Sequence, residues 1–199
     1  MQAAIPSNNH NNGSNTNFVT FSGPLEAQLL HQQFRRFEHE SHSTFEFTNI
    51  KCNSLDTSFA TFEYCLLKSV NRTYKYGSLK VKLLKVPVDK VKLNLALYKR
   101  LNGYKPFLYN VTFDVCKFIQ NRNSNRVAAF IFNLFQPYSN INHSCPCNHD
   151  VVVDKVPTSH MNEQLTKILP FPPGDYGFYS IWFGNGKPRA TVNVYGTLS

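Results

Sequence analysis

Two imidazoles and two thiols stand within seven residues in the run His143-Ser144-Cys145-Pro146-Cys147-Asn148-His149, and a carboxylate follows at Asp150. These side-chain types bind zinc. Structural zinc sites, however, draw ligand pairs with two to four intervening residues from two separate segments, and one Pro-containing octet wraps a tetrahedral ion poorly. The run reads as a loop and no metal is expected, with a metal-binding protein that uses the 143–149 cluster as the weaker alternative. Three further cysteines, Cys52, Cys65 and Cys116, fall on stretches that alternate like β-strands. Five cysteines read as a disulfide framework in an oxidising compartment and as metal ligands or idle thiols elsewhere. No apolar core of the kind a secretory leader needs, about 7 to 15 residues, occurs in the first thirty positions, so that conflict stays open at this level.

Other chemistry is sparse. The chain has no Gly-x-Ser-x-Gly elbow, no phosphate-cradling glycine loop, no dinucleotide fingerprint and no persuasive pair of carboxylates. Its seven histidines are scattered apart from the pair at 143 and 149. No enzyme and no cofactor are expected.

The elements that must position these residues change character near residue 44. Residues 1–43 include six asparagines between Asn8 and Asn17, mixed with Ser, Thr, His and Gly. Such a stretch has too little apolar surface to offset the entropy of ordering it, which predicts a disordered tail. Leu25, Leu29, Leu30, Phe34 and Phe37 recur at helical spacing and predict a short, marginal amphipathic helix within it. Residues 44–199 form the second region, read as one β-sandwich domain with a substantial core.

In that region short alternating segments are broken by turn residues, the pattern of an all-β sandwich. Val91, Leu93, Leu95 and Leu97 alternate with Lys92, Asn94, Ala96 and Tyr98, and Leu79, Val81 and Leu83 alternate with Lys80 and Lys82. The Val86-Pro87-Val88-Asp89 stretch between them reads as a hairpin connection. After a turn at Leu101-Asn102-Gly103-Tyr104, Phe107, Tyr109, Val111 and Phe113 form another inward set, so the three strands are expected to make a meander. Phe45–Cys52, Phe59–Lys68, Asp150–Val153, Tyr176–Phe183 and Ala190–Leu198 bring the total to about eight antiparallel strands, an immunoglobulin-like sandwich. Helix is the minority: Asp114 to about Phe135, broken by the asparagine-rich run at 121–125, and a turn from Asn162 to Ile168.

A formal charge of +9, from 21 Lys and Arg against 12 Asp and Glu, favours anionic surfaces. Lys80, Lys82 and Lys92, with Lys85 and Lys90, are read as a basic face close in sequence to Tyr74, Tyr76, Tyr98 and Tyr104. Cations and stacking rings can clamp nucleic acid, but no nucleic-acid motif accompanies them, and a solvated sheet face accounts for them better. No nucleic-acid partner is expected, while an anionic membrane surface remains open. The longest apolar run, Val127 to Phe132, is far short of the roughly 20 residues of a membrane-spanning helix. Sequons stand at Asn12, Asn71, Asn110 and Asn142. Asn110 takes the outward phase of its strand and Asn71 and Asn142 fall in turns or loops, so these three could carry glycans.

The stretches Phe47-Thr48-Asn49-Ile50-Lys51-Cys52, Val70-Asn71-Arg72-Thr73-Tyr74, Tyr98 to Phe107, Tyr138-Ser139-Asn140-Ile141-Asn142-His143 and Leu169-Pro170-Phe171-Pro172-Pro173-Gly174-Asp175-Tyr176 carry a resemblance over about residues 45–199. The sequence resembles an expanded insect family of small secreted proteins of unassigned function. That family is related to the chemosensory CheB proteins and, more remotely, to the lipid-recognition (ML) superfamily of the ganglioside activator and sterol carriers. The resemblance implies an extracellular protein whose two sheets part to hold a small hydrophobic ligand, in a chemosensory or reproductive setting, or else a solid module that binds a receptor or channel subunit. It further implies pairing of Cys52 with Cys65 and of Cys116 with Cys145. The first of these loops, about 14 residues, would contribute roughly 3 kcal/mol in the chain-entropy model. Cys147 departs from the family, where an aromatic tends to follow the Cys-Pro step, and is left as a free or alternative thiol. Leu93, Leu95, Phe107, Tyr109, Phe113, Phe178 and Trp182 would line the cavity if there is one, or fill a solid core if there is not.

Overall fold

The computed structural model describes residues 44–168 and 171–199, all within the unit His42–Ser199. The expected tail, its amphipathic helix and the Asn12 sequon lie outside the described residues. Among the described residues eight strands run Phe45–Ser54 (β1), Ala60–Ser69 (β2), Lys75–Leu83 (β3), Val91–Leu101 (β4), Gly103–Asp114 (β5), Val151–Pro157 (β6), Gly174–Gly184 (β7) and Lys187–Leu198 (β8). They build two antiparallel sheets, one of five strands in the order β1-β8-β7-β4-β5 and one of three in the order β2-β3-β6. The all-β sandwich expected from the alternation is what forms, with every strand at its expected place.

The meander is a correction. β3 lies in the three-stranded sheet and β4 in the five-stranded one, so the segment from Leu84 to Lys90 crosses between sheets instead of turning a hairpin. Val88 anchors that crossing: it is buried and exchanges two backbone hydrogen bonds with Cys147, of 2.8 and 3.0 Å. Alternation reports which side chains face inward, and two strands facing each other across a core alternate just as two paired strands do. β4 and β5 do pair, around a tight turn in which Gly103 takes φ 85°, a conformation open to glycine.

The predicted helical stretch is split as its asparagines suggest. Helix α1 (Val115–Gln120) is capped by the Asp114 carboxylate on the Lys117 amide at 3.0 Å. Helix α2 (Arg126–Phe135) is capped by Asn125 on the Ala128 amide at 3.0 Å, with a short 3₁₀ turn between. Helix α3 (Thr158–Ile168) begins four residues before the expected Asn162. Phe45, Leu97, Tyr176 and Leu198 pack one end of the sandwich into a core, Phe47, Leu134 and Met161 of the same cluster also border the space between the sheets, and Phe118, Ala128 and Phe132 form another cluster around the helices. Phe59, Ala60 and Val88 make a third, smaller cluster beside the crossing segment.

Both implied disulfides are formed, Cys52–Cys65 between β1 and β2 and Cys116–Cys145 between α1 and the loop before β6. The first joins the two sheets across one edge of the sandwich. Cys147 is a free thiol.

Candidate hydrophobic cavity

Between the packed ends the sheets separate. The inward rows of β4 and β7 pass from the solid core at Leu97 and Tyr176 to a cavity wall at Leu95, Leu93, Phe178 and Trp182. The facing wall comes from the three-stranded sheet, with Phe62, Leu79, Val81 and Val153, and helix α2 adds Ile131 and Phe135. Together they line a partly open space of about 270 Å³, just under the roughly 300–1,000 Å³ usual for small-molecule pockets. Many of these inward side chains, including Phe62, Leu79, Val153, Phe178 and Trp182, are only half-buried. Among the described residues no large side chain is less than 2% exposed. An interior filled by its own side chains would bury several completely, so the partial exposure is the imprint of a hollow.

The few polar side chains on the wall are held by protein partners. The Ser180 hydroxyl donates to the Val192 carbonyl at 2.6 Å and accepts from the Trp182 indole at 3.1 Å. Ser78 donates to Asp154 at 3.0 Å and accepts from the Lys155 amide at 2.8 Å. Arg189 lays its guanidinium 4.0 Å from the Phe59 ring centroid, donates to the Gly184 carbonyl and pairs with Asp56. The Ser58 hydroxyl and the same arginine hold the Asp56 carboxyl below its ordinary range. The surface offered to an occupant is therefore nearly all carbon.

The His143–His149 run lies along one end of this space, with His143, Cys145, Cys147 and His149 all on the wall. It is fastened by the Cys116–Cys145 bridge, by the Val88–Cys147 backbone pair and by Asn140, whose side chain bonds the Val152 amide and the Asp150 carbonyl. The imidazoles meet Nε2 to Nε2 at 2.6 Å. Among the described residues no three His, Cys, Asp or Glu side chains converge in a way that could hold a metal ion. Burial pushes the Cys147 thiol up, which keeps it in the less reactive neutral form.

Of the seven expected cavity residues, Leu93, Leu95, Phe178 and Trp182 stand on the wall. Phe107, Tyr109 and Phe113 face inward from β5 but pack elsewhere: Phe107 beside Phe171 and Tyr176, Tyr109 against the solid core, Phe113 on Phe118. β5 is the outer strand of its sheet, and its register shifts opposite Ala96 and Tyr98, where Leu108 takes φ 60°. That places its inward side chains over the sandwich edge and the helices. The contribution of β2, β3 and β6 was missed, although the alternation of Leu79, Val81 and Leu83 carried it.

The lysines do not share one face. Lys80 and Lys82 lie on the three-stranded sheet and Lys92 on the other, and Lys80 is bridged to Glu63 at 2.7 Å. The outer face of the five-stranded sheet instead carries four packed tyrosines, Tyr98, Tyr104, Tyr179 and Tyr195, with neighbouring centroids 4.5 to 6.2 Å apart. Burial, together with the Tyr195 hydroxyl, raises the pKa of Tyr179. Asn71, Asn110 and Asn142 are all exposed.

Residues 93–178 match the family model described as "Protein of unknown function (DUF1091)". This bears out the resemblance to a family of unassigned function. Among curated proteins none matches the chain. Among solved structures the chain is similar to a Niemann-Pick type C2 protein from the Japanese carpenter ant, at 13% identity over 77% of this chain and 90% of that one, with a TM-score of 0.28.

Proposed function

We propose that this protein is a secreted, non-enzymatic carrier that holds a small hydrophobic ligand, a lipid or hydrocarbon, between its two sheets. The observation that carries this reading is the carbon-walled cavity of about 270 Å³ whose polar side chains, Ser78, Ser180 and Arg189, are bonded to the protein itself. Affinity would come from apolar burial, about 25 cal/mol per Å² removed from water, with shape deciding which chain or ring system fits. The two disulfides support an oxidising, extracellular setting. The chemosensory or reproductive role belongs to the family resemblance, and glycans at Asn71, Asn110 and Asn142 belong to the same reading.

Native mass spectrometry of the protein expressed in insect cells tests it. Co-purifying lipid, or uptake of a fluorescent fatty-acid probe, is expected; a cavity that never carries lipid and excludes the probe would sink the proposal. A receptor or channel partner is a second reading, favoured by the tyrosine-rich outer face, since tyrosine is enriched at protein interfaces. It is compatible with a carrier that delivers its ligand.

A further inference from the structure

Strand β5 ends its sheet, and among the described residues no strand pairs with its outer edge. An open edge is a template for a strand of another molecule, and proteins blunt it with charge, proline and bulges. The start of β5 has all three in Lys105, Pro106 and the register shift that follows. Beyond the shift these devices end. Leu108-Tyr109-Asn110-Val111-Thr112-Phe113 is rich in strand formers and holds no charge, proline or glycine, which is the composition of a self-stacking β segment. One side chain of this segment is forced outward. Pro106 pairs with Tyr98 and Asn110 with Ala96, so Phe107, Leu108 and Tyr109 stand opposite the single residue Leu97. Phe107 and Tyr109 turn inward, which leaves Leu108 63% exposed at φ 60°, a backbone conformation costly for leucine. Asn110 follows two residues on, roughly 7 Å along the strand, and is exposed too. Its Oδ1 accepts from Asn94 Nδ2 at 2.9 Å, and the same Nδ2 donates to Thr112 Oγ1 at 2.9 Å. Asn110 Nδ2, the atom that bears sugar in an Asn-x-Thr sequon, makes no hydrogen bond among the described residues.

We propose that an N-glycan on Asn110 is the guard of the β5 edge: it covers Leu108 and keeps the Leu108–Phe113 segment from pairing with a second copy of this chain. This rests on the extracellular part of the reading above and gives one sequon a task. Attachment joins Asn110 Nδ2 to the anomeric carbon of a lipid-pyrophosphate-linked oligosaccharide. The bond from that carbon to the phosphate oxygen breaks, the lipid pyrophosphate leaves, and the amide gives up one proton. The hydrogen bond from Asn94 survives, because it ends on the Asn110 oxygen. Asn71 and Asn142 lie in connections outside the strands, so their glycans would not stand on an open edge.

The full-length protein is secreted from insect cells behind a supplied leader, and glycopeptide mass spectrometry reads occupancy at each sequon. Asn110 is expected to be occupied, and the protein to remain monomeric by light scattering through prolonged incubation just below its thermal midpoint. Asn110→Gln and Thr112→Ala each lose the sugar, and their monomer should give way to aggregate that binds thioflavin T. Adding Leu108→Lys to either should restore the monomer, since a charge there guards the same segment. Asn71→Gln and Asn142→Gln should stay monomeric. Enzymatic removal of the sugar from the folded Asn71→Gln, Asn142→Gln protein separates guarding from folding, and the monomer should be lost there too. An unoccupied Asn110, a monomeric Asn110→Gln protein, or equal aggregation by all three asparagine variants overturns the proposal. Uptake of a fluorescent fatty-acid probe is followed alongside. Guarding without uptake sinks the carrier reading alone, and uptake by a monomeric Asn110→Gln protein sinks the guard alone.

Discussion

The ring of Phe45 occupies the place a side chain at residue 196 would need. A Cβ built on Gly196 stands 2.2 Å from Phe45 Cε2 and 2.9 Å from the Glu46 carbonyl oxygen. Strands β1 and β8 pair across this point, with Phe47 opposite Gly196, and Phe45 is 4% exposed in the solid core. Neither the backbone oxygen nor the packed ring can retreat cheaply. Gly196→Ala is therefore expected to cost about 1–3 kcal/mol, the usual range for overpacking a core, and to lower the thermal midpoint by several degrees. An unchanged midpoint would mean that β1 does not close on β8 as described.

Asp56 gives the fold a dependence on pH. Its carboxylate accepts from the Ser58 hydroxyl at 2.7 Å and the Ser58 amide at 3.1 Å, and it pairs with Arg189, so it titrates below its ordinary value of 3.8. A carboxyl with a lower pKa folded than unfolded contributes stability that is present above the unfolded value and is lost as pH falls through the folded one. Asp56→Asn should melt lower near neutrality and lose less on acidification below about pH 4. Thermal midpoints followed across pH check this, and parallel curves for the two proteins would count against it.

The cavity can be closed from within. Leu79 and Val192 look into it from opposite sheets, and both are half-buried because part of their surface borders space. Leu79→Phe with Val192→Phe adds volume where there is room, so the strain of overpacking a dense core is largely avoided. The doubly substituted protein should retain its thermal midpoint within a few degrees and lose at least about tenfold in affinity for a fluorescent fatty-acid probe. Full probe binding by this variant would place the occupant elsewhere.

The sequence predicted the strands better than their partners. Period-two alternation placed Leu79, Val81 and Leu83 on an inward face and Leu93, Leu95 and Leu97 on another, but it carries no information on whether two inward faces lie side by side or opposite. That choice was made by contacts distant in sequence, above all the Val88–Cys147 backbone pair. The same limit applies along one strand: Leu95 borders the cavity and Leu97, two residues on, is in the solid core. Both have identical local pattern, and the difference comes from Phe45, Tyr176 and Leu198, which belong to the core at the Leu97 end and stay off the cavity wall. Phe107, Tyr109 and Phe113 have the right phase and composition for a wall, and their place on an outer strand takes them off it. The disulfides followed from family resemblance, because spacing alone does not pair five cysteines.

Cys147 completes the cysteine count. Its backbone is fixed to Val88 and its thiol sits half-buried on the cavity wall, where burial pushes the pKa up. Thiolate is the alkylating form, so native Cys147 should react with iodoacetamide more slowly at neutral pH than an exposed cysteine, and should speed up on unfolding. Intact mass then counts the sulfurs: one label on the unfolded, unreduced chain and five after reduction, as expected for two bridges and one free thiol. Cys147→Ser should leave both bridges in place, whereas replacing Cys52 and Cys65 together by serine should cost about 2–5 kcal/mol. Three labels before reduction, or none, would show a different pairing, and with it a different anchorage for the histidine segment that Cys145 and Cys147 hold against the cavity.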